Sequence, residues 1–251
     1  MDVLISVDDT DDVDSRGTGE VADLLADGLV AAGLAAGRGG VTRHQLLIHP
    51  DIAYTSHNSA MCFPATIDDD GLEAVVAWCG RTLAAESEPA ADPGLCVAAP
   101  SRIADPAVLV GFGRAAKERV CRKDEAFAVA GRLGVHLSEH GGTGLGVIGA
   151  LAGAGLRLSG SDGRFRGKTA IIADGGVLPV GALKAYGADG VRAYVDGVPV
   201  RAALDDDELV AVGDAQAKLV LLDGQAVLLV SPSRGGPAPW ELVRHTALRA
   251  F

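Results

Sequence analysis

The sequence predicts an α+β protein with a ferredoxin-like βαββαβ core, additional helices and a small C-terminal β-rich domain. Three observations predict it. Residues 2–99 set short apolar strand runs around two helical stretches in the order βαββαβ. A glycine-dense loop then runs into an apolar helix, after two further helical stretches. Beyond about Gly175, Asp-Gly pairs stand between β-rich runs, a strong local signal for hairpins. At 251 residues the chain buries a core without help from a metal or a disulfide, and 48% hydrophobic against 4% aromatic residues describes small, tightly packed side chains.

The elements follow in order. "DVLISV" is an apolar strand, and "GEVADLLADGLVAAGL" places Val21, Leu24, Leu25, Leu29 and Val30 on one helical stripe. After the glycine-rich "AAGRGG", the runs "RHQLLIH" and "NSAMCFPATID" read as two strands joined by a long connection around Pro50. "DDGLEAVVAWCGRTLAAE" is a helix with an acidic start, and "PGLCVAA" is a strand. "ADPAVLVGFGRAAKERV", "KDEAFAVAGRLG" and the helix after "EHGGTGLG" follow, and a strand near "GKTAIIAD" closes a first domain, residues 1–174. In the second, residues 175–251, "VRAYVDGVPVRA" and "KLVLLDGQAVLLV" are hairpins and "PWELVRHTALRAF" is expected to be a terminal helix.

With 22 basic against 33 acidic residues the formal charge is −11, which argues against broad sequence-independent contact with nucleic acid while leaving room for a local basic groove. The chain opens with neither a basic n-region nor a long apolar h-region, and it contains no run of about 18 apolar residues; a cytoplasmic protein without a membrane partner is expected. Cys62, Cys79, Cys96 and Cys121 form no C-x-x-C pair and are expected to be reduced and buried. Oligomeric state is left open.

Two loops carry chemistry. "VDDTDDVDSRGTG" packs Asp8, Asp9, Asp11, Asp12 and Asp14 behind the first strand. Crowded carboxylates at a strand end suit a hard cation such as magnesium, with Asp8 and Asp9 as the better ligands. The same residues also suit a turn that caps the next helix and faces its positive end. "GGTGLG", Gly141 to Gly146, stands at a helix start, where glycine lets a phosphate approach unpaired N–H groups. A tight packing loop fits those residues equally, and the loop is neither a Walker sequence nor a dinucleotide fingerprint. His136 and His140 precede it, placed either to contact phosphate or base or to cap and pack.

"ISVDDTDDVDSRGTGEVADLL" resembles the opening of the archaeal agmatinylcytidine synthetases, the TiaS family, with its strand, Ile-Asp-Asp-Thr-Asp motif and Gly- and Thr-bearing turn. "LLIHPDIAYTSHNSAMCF" is similar to the family's Asn-Pro-Asn-Ile and Asn-Gly-Ala segments through Pro50, Ile52, Asn58 and Ala60. "DPGLCV" and "GLGVIGALAGAG" resemble two further segments, so four motifs run in family order over roughly residues 2 to 174. The resemblance implies a kinase-like domain that uses ATP and magnesium to phosphorylate a cytidine oxygen of the minor isoleucine tRNA, before agmatine displaces the phosphate. It implies Asp8, Asp9 and Asp11 as magnesium ligands and catalytic residues, and Thr18 as a phosphorylated threonine. For the nucleotide it implies Gly142, Gly144 and Gly146, to which Gly141, Thr143, His140 and Asn58 are added as candidates.

The departures concern charge. Leu145 stands where the family loop has an arginine, and "YTSHNS" lacks the family's Lys and Arg. His57 could replace them, as could Arg114, Lys117, Arg119, Arg122 and Lys123, which also fit a solvated helix face. The family's OB-type domain and Cys-rich zinc ribbon, its tRNA grip, are not recognisable here. The main expectation is therefore an ATP- and magnesium-dependent phosphoryl-transfer enzyme, a kinase or amidine-forming ligase, acting on a small molecule or nucleoside, with tRNA a disfavoured partner. The alternatives are a tRNA cytidine-modifying enzyme working with a separate RNA-binding partner, and a non-catalytic nucleotide-binding module.

Overall fold

The computed structural model describes the chain except residues 13, 53, 55–57, 168, 214, 215, 249 and 250. It divides into two compact units, Met1–Ser159 and Gly160–Phe251. The boundary precedes the expected 174/175 because the intervening residues pair with later strands: Arg164 lies opposite Val220, and Thr169 and Ala170 lie opposite Ala217 and Gln216.

The first unit runs β1 (Asp2–Asp8), α1 (Thr18–Ala31), β2 (Gly37–Arg38), β3 (Thr42–Gln45), β4 (Ser59–Thr66), α2 (Leu72–Glu86), β5 (Gly94–Ala98), α3 (Pro106–Glu118), α4 (Lys123–Leu133), β6 (His136–Glu139) and α5 (Gly146–Leu158). Its sheet has the order β6-β5-β1-β4-β3, with β2 also on β4, and every pair is antiparallel. This is a mixed α+β unit with a sheet at its centre.

Alternation along the strands sends side chains to two faces. Val3, Ile5, Val7, Phe63, Leu95 and Val97 pack against Val21, Leu25 and Leu29 of α1 and Val75, Cys79 and Leu83 of α2. Leu4, Cys62, Cys96 and Ala98 pack on the other face against α3, α4 and α5. Both faces are thus covered, which is why β1 reads as an uninterrupted apolar run. The four cysteines are free and buried.

Helix α5 lies close on β1 because its contact stripe is glycine. A Cβ at Gly153 would come 2.5 Å from Ser6 Oγ, and one at Gly149 would overlap the Asp8 carboxylate. Its outer side meets α3 through another glycine contact, since a Cβ at Gly113 would sit 2.8 Å from the Ala152 carbonyl oxygen.

The second unit contains β7 (Arg164–Phe165), β8 (Thr169–Ala170), β9 (Val177–Pro179), the single-turn α6 (Val180–Leu183), β10 (Gly190–Val195), β11 (Val198–Ala203), β12 (Leu209–Ala211), β13 (Gln216–Ala217), β14 (Val220–Leu222), β15 (Gln225–Pro232) and β16 (Trp240–Leu242). Both Asp-Gly hairpins form, with positive φ at Asp196 and Gly197 and at Asp223 and Gly224, as a type I′ turn requires. The expected terminal helix does not form. Trp240 to Leu242 pair as a strand with β15 and β12, the Trp240 indole donates to Glu208 at 2.6 Å, and among the described residues that follow only a 3₁₀ turn, His245–Leu248, forms. Among the described residues no helix is long and apolar enough to cross a membrane.

Candidate functional site

Strand β1 ends at Asp8, and the chain turns sharply there: Asp9 takes φ 55°, a conformation that aspartate tolerates better than branched residues. The Asp8 carboxyl sits against Gly149 of α5, and burial pushes it up from 3.8 to about 8, with the charges of Asp9 and Asp11 adding to the rise. Asp9 is pushed up to about 6, first by burial and then by the nearby Asp92 and Asp11 carboxylates; an Asp92 backbone N–H donating to it opposes the shift. Thr10 is buried, and its hydroxyl oxygen has no hydrogen-bond partner among the described residues. Thr18 opens α1; its hydroxyl donates to Asp11 Oδ1 at 2.8 Å and accepts the Thr10 N–H at 3.4 Å. Thr18 is itself buried.

Among the described residues no group of three or more His, Cys, Asp or Glu side chains is gathered closely enough to hold a metal ion. Asp8, Asp9 and Asp11 are therefore not a closed cage. The donor chemistry still fits magnesium, which keeps several waters and binds through one or two carboxylates plus phosphate oxygens. Burial first, and then the neighbouring carboxylates, hold the Asp8 and Asp9 carboxyls toward their neutral form, and a cation bound there would favour their ionisation.

The glycine loop lies at the N-terminus of α5, as its sequence predicts, but it is bracketed by carboxylates. The Asp92 carboxylate accepts the Thr143 backbone N–H and, through Oδ2, the Thr143 hydroxyl. The Asp92 main-chain carbonyl accepts the Gly146 N–H at 3.0 Å. Gly142 (φ 54°) and Gly144 (φ 71°) have left-handed backbones, and a Cβ on either would overlap a carboxylate, that of Asp92 or that of Glu139. Glu139 is paired with Lys123 at 2.6 Å, and the same ammonium donates to the Thr143 carbonyl at 2.8 Å.

Asp92 thus joins the two loops: its N–H serves Asp9, its carbonyl caps α5, and its side chain holds Thr143. Asp92 opens the family-like "DPGLCV" segment, but its pairing is not legible there, because its partner lies 51 residues away. Of the basic stretch, Lys123 reaches the glycine loop, whereas Arg119 pairs with Glu125 and Arg122 with Asp124, both at 3.0 Å. Leu145 is exposed. His57 lies outside the described residues.

Two candidates turn elsewhere. Asn58 donates to the Leu47 carbonyl at 2.6 Å and braces the connection before β4. His140 packs over Gly80 of α2, and its Nε2 lies 2.7 Å from Ser138 Oγ, which is also 2.9 Å from His136 Nε2. Burial lowers both imidazoles below their ordinary value, so they are neutral near pH 7.

No protein-family model matches the chain, and no curated protein sequence matches it. Among solved structures, a tRNA fluorescent labelling enzyme is similar with a TM-score of 0.52 and 27% identity, over 62% of this chain and 36% of that one. TiaS, an agmatidine synthetase of an isoleucine tRNA, is similar in its apo form with a TM-score of 0.51 and 25% identity, over 62% of this chain and 35% of that one. Its complex with that tRNA, AMPCPP and agmatine gives 0.52 and 25%, over 61% and 36%. The expectation that tRNA is a disfavoured partner is corrected by that complex: net charge described the whole surface and missed that a protein sharing this fold holds an isoleucine tRNA. The chain is TiaS-like over 62% of its length and spans little more than a third, 35–36%, of the TiaS and labelling-enzyme chains it resembles.

Proposed function

We propose that the chain takes part in ATP-dependent modification of a tRNA cytidine, with further RNA contacts supplied by a separate partner. The carrying observation is the junction at which Asp92 ties the acidic turn of β1 to the glycine loop of α5. Triphosphate and hard cation are the ligands such a junction would serve: N–H donors at a helix start on one side, buried carboxylates on the other. The strand order β5-β1-β4-β3, antiparallel throughout, supports assigning the core to the ferredoxin-like arrangement and the N-terminal unit to the ATP-dependent domain.

The residues divide the work. Asp8 and Asp9 would hold magnesium, which when bound neutralises phosphate charge. Asp11 accepts the Thr18 hydroxyl at 2.8 Å, the geometry of a base beside an oxygen nucleophile, which supports Thr18 as a phosphoryl acceptor. Lys123 fixes the glycine loop from its outer side through the Thr143 carbonyl.

Incubation of the purified chain with the unmodified minor isoleucine tRNA, ATP, magnesium and agmatine, followed by nucleoside mass spectrometry, tests the reading. A modified cytidine and tRNA-stimulated phosphate release are expected, with both lost in Asp9→Asn. Turnover of free cytidine without any response to tRNA would return the chain to the small-molecule class.

A further inference from the structure

We infer that Asp92 is a latch: its carboxylate stands in for a phosphate at the glycine loop and must be displaced when a nucleotide's phosphate binds there. This rests on the ATP reading above and adds a positioning residue to the same site. The argument begins with donors. The Thr143 N–H and O–H both donate to one Asp92 carboxylate, a bidentate hold that mimics two oxygens of a phosphate. Space leads to the same conclusion. A Cβ at Gly142 would overlap Asp92 Oδ1, so the room that glycine leaves in this loop is filled by that carboxylate.

Displacement is local. Asp92 is anchored by its main chain, whose N–H serves Asp9 and whose carbonyl accepts Gly146, so rotation of the side chain alone frees Thr143 and leaves both loops tethered. The carboxylate that leaves Thr143 remains beside Asp9, where a cation bound with the nucleotide would meet it. Ligand entry therefore exchanges one anion for another at the same donors. In the free protein the latch holds these solvent-exposed donors in the arrangement an anion would take.

The experiment compares wild type with Asp92→Ala, Asp92→Asn and Glu139→Gln, using ATP and inorganic tripolyphosphate as separate probes with magnesium present. Calorimetry reads affinity, and hydrogen exchange reads the Thr143 amide. Asp92→Ala should bind tripolyphosphate about tenfold tighter, the scale of one released charge-assisted hydrogen bond. Its free Thr143 amide should exchange faster than in wild type and become protected again on binding. Glu139→Gln removes equal charge beside the loop without freeing Thr143, so it should gain far less. Should Asp92→Ala fail to fold, Asp92→Asn, which keeps one acceptor, carries the test in the same direction.

Equal or weaker tripolyphosphate binding by folded Asp92 variants overturns the latch, as does an equal gain in Glu139→Gln. Failure of wild type and variants alike to bind tripolyphosphate overturns it too. If tripolyphosphate behaves as described and ATP binds to none of the proteins, the latch stands and the ATP reading falls.

Discussion

Asp8→Asn should make the metal-free protein more stable at neutral and alkaline pH, and the structure gives the size. Burial raises this carboxyl from 3.8 to about 8. A group whose folded value lies above its unfolded one contributes full stability below the unfolded value, and the contribution is lost as pH rises through the folded one. The window here runs from just under pH 4 up to about 8. At roughly 1.4 kcal/mol per unit, the shift amounts to about 6 kcal/mol once the carboxyl is fully ionised, and relaxation with water entry reduces it to a few. The asparagine has nearly the same shape and no charge. Urea melts at about pH 4.5 and pH 8.5 should show little difference between wild type and mutant at the lower pH and a mutant advantage of about 2–4 kcal/mol at the higher. Magnesium should raise wild-type stability at the higher pH by mass action and leave the mutant nearly unchanged. A mutant destabilised equally at both pH values would refute this reasoning and make the Asp8 carboxylate a structural acceptor.

The remaining predictions test the neighbouring contacts. Asp9→Asn should weaken metal-dependent nucleotide binding by about tenfold or more while keeping the fold, because asparagine accepts the left-handed backbone at φ 55°; unchanged calorimetric affinity would return the acidic turn to helix capping. Gly144→Val should cost about 1–3 kcal/mol, since it strains a left-handed backbone and overlaps Glu139. An unchanged melting temperature with nucleotide binding abolished would instead favour an open phosphate cradle. Gly113→Ala should lower stability by about 1–3 kcal/mol by forcing α3 from the Ala152 carbonyl, 2.8 Å from the new Cβ, and a neutral thermal melt would contradict that close crossing.

What the sequence made legible was periodic or local. The unbroken apolar run of β1, the stripe of α1 and the two Asp-Gly turns each bury or bend in ways their own residues dictate. Strand β6 escaped notice because His136, Ser138 and Glu139 carry no apolar signal, and it sits at the edge of this unit's sheet. The C-terminal stretch has helical spacing around Leu242 and Leu248, yet Trp240 finds strand partners, a tertiary contact overriding local propensity. The site divides in the same way. Both loops are visible as composition, whereas Asp92 and Lys123 acquire meaning through Thr143, 51 and 20 residues away. A lysine in a basic run reads as solvated surface until its carbonyl partner is known.

The charge at this junction constrains how any nucleotide can be held. Burial first, and then the mutual proximity of Asp8, Asp9, Asp11 and Asp92, drives Asp8 and Asp9 upward, and Lys123, which reaches the loop, is already paired with Glu139. A triphosphate brought here alone would add negative charge to a site that already disfavours its own. Two events lower that repulsion: a divalent cation on the β1 carboxylates, and movement of the Asp92 side chain away from the Thr143 donors. The first supplies countercharge, and the second supplies hydrogen bonds already shaped for an anion. Because each makes the other less unfavourable, metal and phosphate binding should be thermodynamically coupled, with either ligand tightening the other by the same factor. The carboxylates that make the free protein less stable are the same ones that make its occupancy conditional on a cation.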